Sequence, residues 1–102
     1  MTTASDTPVL DTLAAMTLDS IDRCGLDERT FLLTRIAALV AMDAPAVSYL
    51  AHVEPAANAG VTAEQVQDVL IAVAPVVGTA RVMAAADRIT DALGFAITVA
   101  ES

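Results

Sequence analysis

Apolar residues recur at three- and four-residue spacing along most of the chain, in segments separated by polar residues, glycine and proline. This spacing is typical of amphipathic α-helices, which bury one face. Five long segments show it, and the apolar tail from Phe95 to Val99 is expected to form a short further helix or a strand-like arm. The pattern predicts an all-α bundle of five to six helices in a single domain spanning residues 1–102, with polar residues 1–6 disordered.

Capping residues indicate where the helices begin and end. Helix N-termini favour oxygen-bearing side chains, and such residues precede the apolar segments: Thr7, Asp27, Asp43, Thr62 (in a capping box with Gln65) and Thr79. The second helix is expected to end near Met42, and glycine indicates the other stops: Gly25, Gly60, Gly78 and Gly94. We expect Pro55 to bend or end the third helix near residues 52–54, and Pro75 to end or kink the fourth.

Composition adds an expectation about assembly. Hydrophobic residues make up 56% of the chain, which is above the usual share of about 45–50%. So much apolar surface is hard to bury within a small monomer, so a homo-oligomer is predicted. The net charge of −8 and the absence of lysine argue against nucleic-acid or anionic-membrane partners, because both require clusters of positive charge.

The single cysteine and the single histidine limit the kinds of site that the chain can form. Cys24 has no partner for an intramolecular disulfide, and no signal-peptide pattern opens the chain, which together indicate a cytoplasmic protein. The longest uncharged apolar run, residues 69–80, is too short to span a bilayer. One His and one Cys give no metal-ligand spacing, and four scattered glycines give no phosphate loop, so neither a metal nor another cofactor is expected.

Two longer sequence segments resemble a known family. "LDERTFLLTRIAALVA" and "SYLAHVEPAANAGVTAEQVQDVLIAVAPVVGTARVMAAADRITDAL" together cover about residues 26–93. They are similar to the carboxymuconolactone decarboxylase family, which includes the alkylhydroperoxidase-D-like proteins. The resemblance implies an all-α subunit with the alkylhydroperoxidase-D-like bundle, assembled into a trimer or hexamer.

The redox branch of that family carries Cys-x-x-Cys-x-x-x-His at the start of the third helix. On this chain the histidine falls on His52, but the cysteine positions fall on Pro45 and Ser48. A disulfide-cycling peroxidase needs a thiolate and a resolving thiol, which neither residue supplies. The family's glutamate on the preceding helix is also missing, since that region reads "LLT". These departures argue against a thiol peroxidase.

The decarboxylase branch keeps the histidine without the cysteine pair. The resemblance implies a cofactor-free lyase or isomerase acting on a small carboxylated, apolar ligand in a pocket between subunits. His52 is then the candidate proton donor, and Arg35 and Arg81 are candidate carboxylate ligands, because arginine binds carboxylates in a bidentate manner. Tyr49 and Ser48 are candidate pocket-lining residues on the same helix. The alternative is a non-catalytic ligand-binding or assembly module that keeps the fold.

Each candidate also has a purely structural interpretation. Ser48 and His52 share a helix face, so a serine hydroxyl–histidine pair is conceivable, as is a histidine that only satisfies a packing hydrogen bond. Arg35 is expected to form a salt bridge, between subunits or between helices, with one of the available carboxylates, Asp87, Asp91 or Glu64. Arg88 is expected to form a solvated pair with Asp91.

Overall fold

The structure, a computed structural model, describes residues 6–100, and the side chains of residues 6–93. The described chain folds into five helices without strands: α1 (Pro8–Arg23), α2 (Glu28–Ala41), α3 (Ala46–Asn58), α4 (Ala63–Val77) and α5 (Thr79–Ala100). The predicted all-α bundle is confirmed. The disorder predicted for the N-terminus concerns residues that, except for Asp6, lie outside the described range.

Helix α2 packs against α3, α4 and α5, and α5 likewise packs against α2, α3 and α4, with the most extensive contact between α3 and α5. In α2, the side chains of Leu32, Ile36 and Val40 are buried at helical spacing. Val40 is completely inaccessible and packs in a buried cluster with Ala44, Tyr49, Ala85 and Ala92. Ala85 and Ala92 take up little space on α5, which makes its most extensive contact with α3, and larger aliphatic side chains surround the cluster.

Helix α1 has the opposite character. None of its residues is buried, and among the described residues its backbone comes close to none of the other four helices. Its large apolar side chains are all at least half exposed: Val9, Leu10, Leu13, Met16, Leu18 and Ile21. The described chain therefore consists of a packed four-helix body, α2–α5, and a separate amphipathic helix.

Two predicted caps are confirmed by hydrogen bonds. The Asp27 carboxylate accepts from the Thr30 N–H at 2.9 Å and begins α2. Thr62 and Gln65 form the predicted capping box, with reciprocal bonds of 3.0 and 3.1 Å at the start of α4.

The prediction that Asp43 is the N-cap of the third helix is wrong, because Pro45 occupies that position. Asp43 has a left-handed backbone, with φ of 54°, and closes the end of α2 instead. The Ala44 N–H donates to Leu39 and the Asp43 N–H to Val40, the hydrogen-bond pattern of a Schellman motif. Aspartate tolerates the left-handed region better than most residues, so it can stand where glycine is usual.

Helix α3 does not end at Pro55, one of the two outcomes predicted there, but continues to Asn58. The proline removes one backbone N–H donor without ending the helix. Its carbonyl still accepts from the Ala59 N–H at 3.0 Å, and Gly60, with φ of 79°, then ends the helix as predicted.

Gly94 does not end α5, which continues to Ala100, since a glycine within a helix costs only about 1 kcal/mol. The apolar tail is thus a continuation of α5, and its side chains lie outside the described ones. Among the helices searched in the described chain, none is both long enough and apolar enough to cross a membrane.

Candidate functional site

An apolar groove of about 400 Å³ opens between the four helices of the packed body. Every one of these helices contributes aliphatic side chains to its wall: Ile36 from α2, Val53 from α3, Val66 and Leu70 from α4, and Ile89 and Leu93 from α5. These aliphatic side chains lie outside the buried cluster around Val40.

His52 lies in the wall of this groove, in the middle of α3, and is partly buried. Its Nδ1 lies 2.8 Å from the Ser48 carbonyl oxygen. A carbonyl oxygen only accepts, so Nδ1 must carry the hydrogen. The other nitrogen, Nε2, has no hydrogen-bond partner among the described residues. His52 therefore offers a lone pair at Nε2 when neutral and a proton donor when charged.

Ser48 orients the imidazole through its backbone rather than its side chain. The His52 ring bonds to the Ser48 carbonyl, and no bond to the Ser48 hydroxyl is present. A serine nucleophile would need its own hydroxyl bonded to the imidazole that takes its proton. Ser48 itself is not among the lining residues of the groove.

Tyr49 forms part of the groove wall and of the buried cluster behind it. The residue is only 4% exposed, and its hydroxyl is a buried side-chain polar atom without a hydrogen-bond partner, alone in this respect among the described residues. Burial raises the pKa of the Tyr49 hydroxyl, and the nearby positive charge of Arg88 offsets this only in part.

The structure does not bring Arg35 or Arg81 to the groove. The Arg35 guanidinium lies over the Phe31 ring, 4.3 Å from its centroid, and forms no ion pair with a described carboxylate of its own chain, so the interhelix form of the expected salt bridge is wrong. Arg81 donates a hydrogen bond to the Ala41 carbonyl at the end of α2. Of the five sequence-predicted site residues, only His52 and Tyr49 line the same cavity.

Arg88 fulfils a role that the sequence did not reveal. Its Nη1 donates to the Asp43 carboxylate and to the carbonyls of Asp43 and Ala44, which ties α5 to the α2–α3 connection. The expected pair with Asp91 is therefore wrong. Arg88 and Asp43 lie 45 residues apart in the sequence. The left-handed turn at Asp43 brings three acceptor oxygens together, and the spacing of charged residues does not predict this turn.

The lone cysteine lies away from His52. Cys24 borders a separate depression of about 350 Å³, together with Ile21, Leu26, Phe31 and Pro55. Within the described chain, no three acidic, histidine or cysteine side chains cluster in a way that would hold a metal ion.

The fold and groove define a class: a small all-α domain that presents one histidine in an apolar cavity. The family model described as "Carboxymuconolactone decarboxylase family" matches residues 8–92, which is most of the chain, and the protein belongs to this family. No curated protein matches the chain. No solved structure matches it either.

Proposed function

We propose that the groove binds a small, largely apolar molecule and that His52 transfers a proton to or from it, as in a cofactor-free lyase or isomerase. The observation that supports this proposal is the fixed orientation of the imidazole. The Ser48 carbonyl holds Nδ1–H, which leaves Nε2 as the atom available for proton exchange. Histidine suits this role because it changes charge near neutral pH.

The same nitrogen serves two kinds of reaction. In a decarboxylation, the carbon–carboxylate bond breaks, CO2 leaves, and the electron pair left on the substrate takes a proton from His52 Nε2–H. In an isomerisation, neutral Nε2 takes a proton from one carbon and returns it to another. Both need a proton carrier in a water-poor site, and the apolar wall of the groove provides such surroundings.

A carboxylated ligand, as the family resemblance implies, would need a positive charge beside it. Neither Arg35 nor Arg81 lines the groove, so a role for either arginine as a substrate ligand requires a site completed by a second copy of the chain. Without such an arginine, protonated His52 is the cation that the lining residues can supply.

The test uses γ-carboxymuconolactone as substrate and measures CO2 release. We expect His52→Ala to lower kcat by about 100-fold or more, the usual size of a lost general acid–base group. Ser48→Ala is the matched control, because it keeps the carbonyl that orients His52 and should leave kcat nearly unchanged. Equal turnover by wild type and His52→Ala, on a substrate that is really consumed, would remove His52 from the mechanism.

A second candidate function is a non-catalytic ligand-binding or assembly module. It is supported by the absence of any carboxylate or arginine among the described residues that line the groove beside His52. Under this alternative, a ligand binds in the groove but wild type and His52→Ala both leave it chemically unchanged.

We also infer that the chain assembles with copies of itself through α1. The chain exposes 7192 Å², about 1,800 Å² more than a compact monomer of 10.5 kDa. Its radius of gyration of 15.1 Å likewise exceeds the value of about 13 Å for a compact chain of this length. A standard interface buries about 800 Å² per partner, so the excess supplies the two contacts that each subunit of a cyclic trimer needs.

Sedimentation of two charge-matched variants tests this assembly. Leu13 and Ala15 are about 200° apart around α1, so Leu13 lies on its apolar face and Ala15 on the opposite one. We expect wild type and Ala15→Asp to sediment as a trimer or hexamer and Leu13→Asp to sediment at a lower mass. A wild-type mass of one subunit at micromolar concentration would refute the assembly.

A further inference from the structure

The described wall of the groove contains almost no side chain that can carry a charge. Among the described residues that line it, none is an aspartate, glutamate, lysine or arginine, and His52 is the side chain able to carry a positive charge. Arg88 is engaged with Asp43, Arg81 with Ala41, and Arg35 with Phe31. A charged ligand in the groove therefore finds almost no side chain of opposite charge to pair with.

The polar side chains of Thr62, Gln67 and Thr90 belong to the wall but are exposed. The Thr90 hydroxyl donates to the Ala86 carbonyl at 2.9 Å, and the Thr62 oxygen accepts from the Gln65 N–H at 3.1 Å, so each hydroxyl keeps one capacity for a further bond. The Tyr49 hydroxyl is sealed from solvent. His52 is only partly exposed and its Nε2 has no hydrogen-bond partner among the described residues, so it is the less exposed group of the wall that can make a directed hydrogen bond to a ligand.

An ionised carboxylate is a poor occupant of such a site. Moving it from water into an apolar groove is costly unless it is paired and hydrogen-bonded, and the wall supplies one cation at most. A hydroxyl group costs far less to bury. It also matches neutral His52, because Nε2 then accepts one hydrogen bond.

The volume of the groove sets the size of the ligand. An apolar cavity of about 150 Å³ holds one benzene molecule. A groove of about 400 Å³ has room for two or more such rings on this scale.

We infer that the ligand is an uncharged, mostly hydrocarbon molecule of about two rings whose single hydroxyl donates to His52 Nε2. This inference rests on the proposed small-molecule function of the groove and, of the two reactions, fits the isomerisation, since a neutral alcohol has no carboxylate to lose. It specifies a neutral alcohol or phenol where the family resemblance implies a carboxylate.

Three probes with one carbon skeleton test the inference: biphenyl-4-ol, biphenyl-4-carboxylate and biphenyl. Dissociation constants are measured by calorimetry at about pH 8, where histidine is ordinarily neutral. We expect biphenyl-4-ol to bind about tenfold or more tightly than the carboxylate. We expect His52→Ala to weaken biphenyl-4-ol about fivefold, the size of one hydrogen bond, relative to biphenyl.

Two variants on α5 confirm where the probes bind. Ala86 lines the groove and Ala80 does not, so Ala86→Phe fills the groove while Ala80→Phe adds the same ring elsewhere. Binding of biphenyl-4-ol should be lost in Ala86→Phe and kept in Ala80→Phe.

Two outcomes would overturn the inference, and they differ in what happens to the proposed function. Equal or tighter binding of the carboxylate, blocked by Ala86→Phe, would refute the neutral ligand and leave the small-molecule site intact. Binding that Ala86→Phe does not affect, or no binding of any probe, would refute both.

Discussion

Helix α1 and helix α2 differ in burial, and the distribution of apolar residues along each helix does not predict this difference. Helix α1 has the more sharply one-sided distribution of apolar residues, yet none of its side chains is buried. Helix α2 has only a weakly one-sided pattern, yet it packs against the three other helices of the body and buries Leu32, Ile36 and Val40. A one-sided pattern shows that a helix has a face to cover, but it does not show whether the same chain covers it.

The difference follows from what surrounds each helix. Residues of α2 meet α3, α4 and α5, so even its flanks are covered. The large apolar side chains of α1 are at least half exposed, and Ile21 only borders a depression together with Phe31 of α2 and Pro55 of α3. Because the two helices differ so strongly in burial, the same substitution should have different consequences in each.

The largest expected difference concerns isoleucine. Ile36 on α2 is 5% exposed and Ile21 on α1 is 52% exposed. We expect Ile36→Ala to lower the free energy of unfolding by about 2–5 kcal/mol, because it leaves a cavity in the core. Ile21→Ala should change it by less than about 0.5 kcal/mol in dilute solution, as is usual for exposed sites.

Urea unfolding measures both values, and the protein concentration sharpens the comparison. If α1 packs against a second copy, the effect of Ile21→Ala should grow as concentration rises, while that of Ile36→Ala should be present throughout. Equal losses for the two variants in dilute solution would show that α1 packs on its own chain.

The next difference concerns two arginine–aspartate pairs. Arg88 reaches Asp43 and two carbonyls across the packed body, whereas Arg23 bonds to Asp19 at 2.7 Å on the exposed surface of α1. We expect Arg88→Met to cost about 1–2 kcal/mol, because it leaves several acceptors without their donor. Arg23→Met should cost no more than about 0.5 kcal/mol.

Thermal unfolding of the two methionine variants is the measurement. Asp43→Gly helps to separate the ion pair from the other bonds of Arg88. The substitution removes the carboxylate, while glycine favours the left-handed backbone at that position. A larger loss from Arg23→Met than from Arg88→Met would contradict the ranking.

The sequence predicted the parts of the fold that depend on local chemistry. The Asp27 cap and the Thr62–Gln65 capping box involve residues three apart, and Gly60 and Gly78 end helices at positive φ. The sequence-based predictions were wrong where a contact between distant residues, or a turn shared by two helices, determines the structure. Asp43 became the end of α2 rather than the start of α3, and Arg88 found its partner 45 residues away.

The candidate site shows the same division. Tyr49 and His52 lie three residues apart on one helix, so their shared cavity follows from helical spacing. Arg35 and Arg81 were assigned to the site by the chemistry of their side chains alone. Where they lie depends on how α2 and α5 are rotated within the bundle, which composition and periodicity do not determine.

A smaller effect is expected at Tyr49, the only tyrosine of the chain. Tyr49→Phe removes a buried hydroxyl that has no partner, so it should raise the free energy of unfolding by about 1 kcal/mol. The raised pKa of Tyr49 also predicts a pH effect, because the folded protein holds this proton more tightly than the unfolded chain does.

The pH effect at Tyr49 has a definite sign and range. Its contribution is complete below the ordinary tyrosine value of 10.0 and is lost as pH rises through the higher folded pKa. Wild type should thus lose stability in alkali more steeply than Tyr49→Phe, as urea unfolding at several pH values would show. Identical alkaline profiles would mean that the hydroxyl is solvated in the folded protein.

The smallest predicted effect lies at the start of α2. The N–H and hydroxyl of Thr30 donate to the Asp27 carboxylate and hold its pKa below the ordinary value of 3.8. The resulting stabilisation is present above pH 3.8 and is lost as pH falls through the lower folded pKa. Asp27→Asn keeps an N-cap of similar quality, so it should remove this acid dependence with little change near neutral pH.

Glu28→Gln is the matched control, because it removes the same charge one residue later, in the first turn of α2. Urea unfolding between neutral pH and pH values below 3.8 should show a shallower acid slope for Asp27→Asn than for Glu28→Gln. Equal slopes would mean that the general charge of the helix start, rather than the Thr30 bonds, stabilises α2. A shallower slope for Asp27→Asn would show that the Asp27 carboxylate causes the acid sensitivity of α2. The cap that contains this carboxylate is specified by local sequence alone.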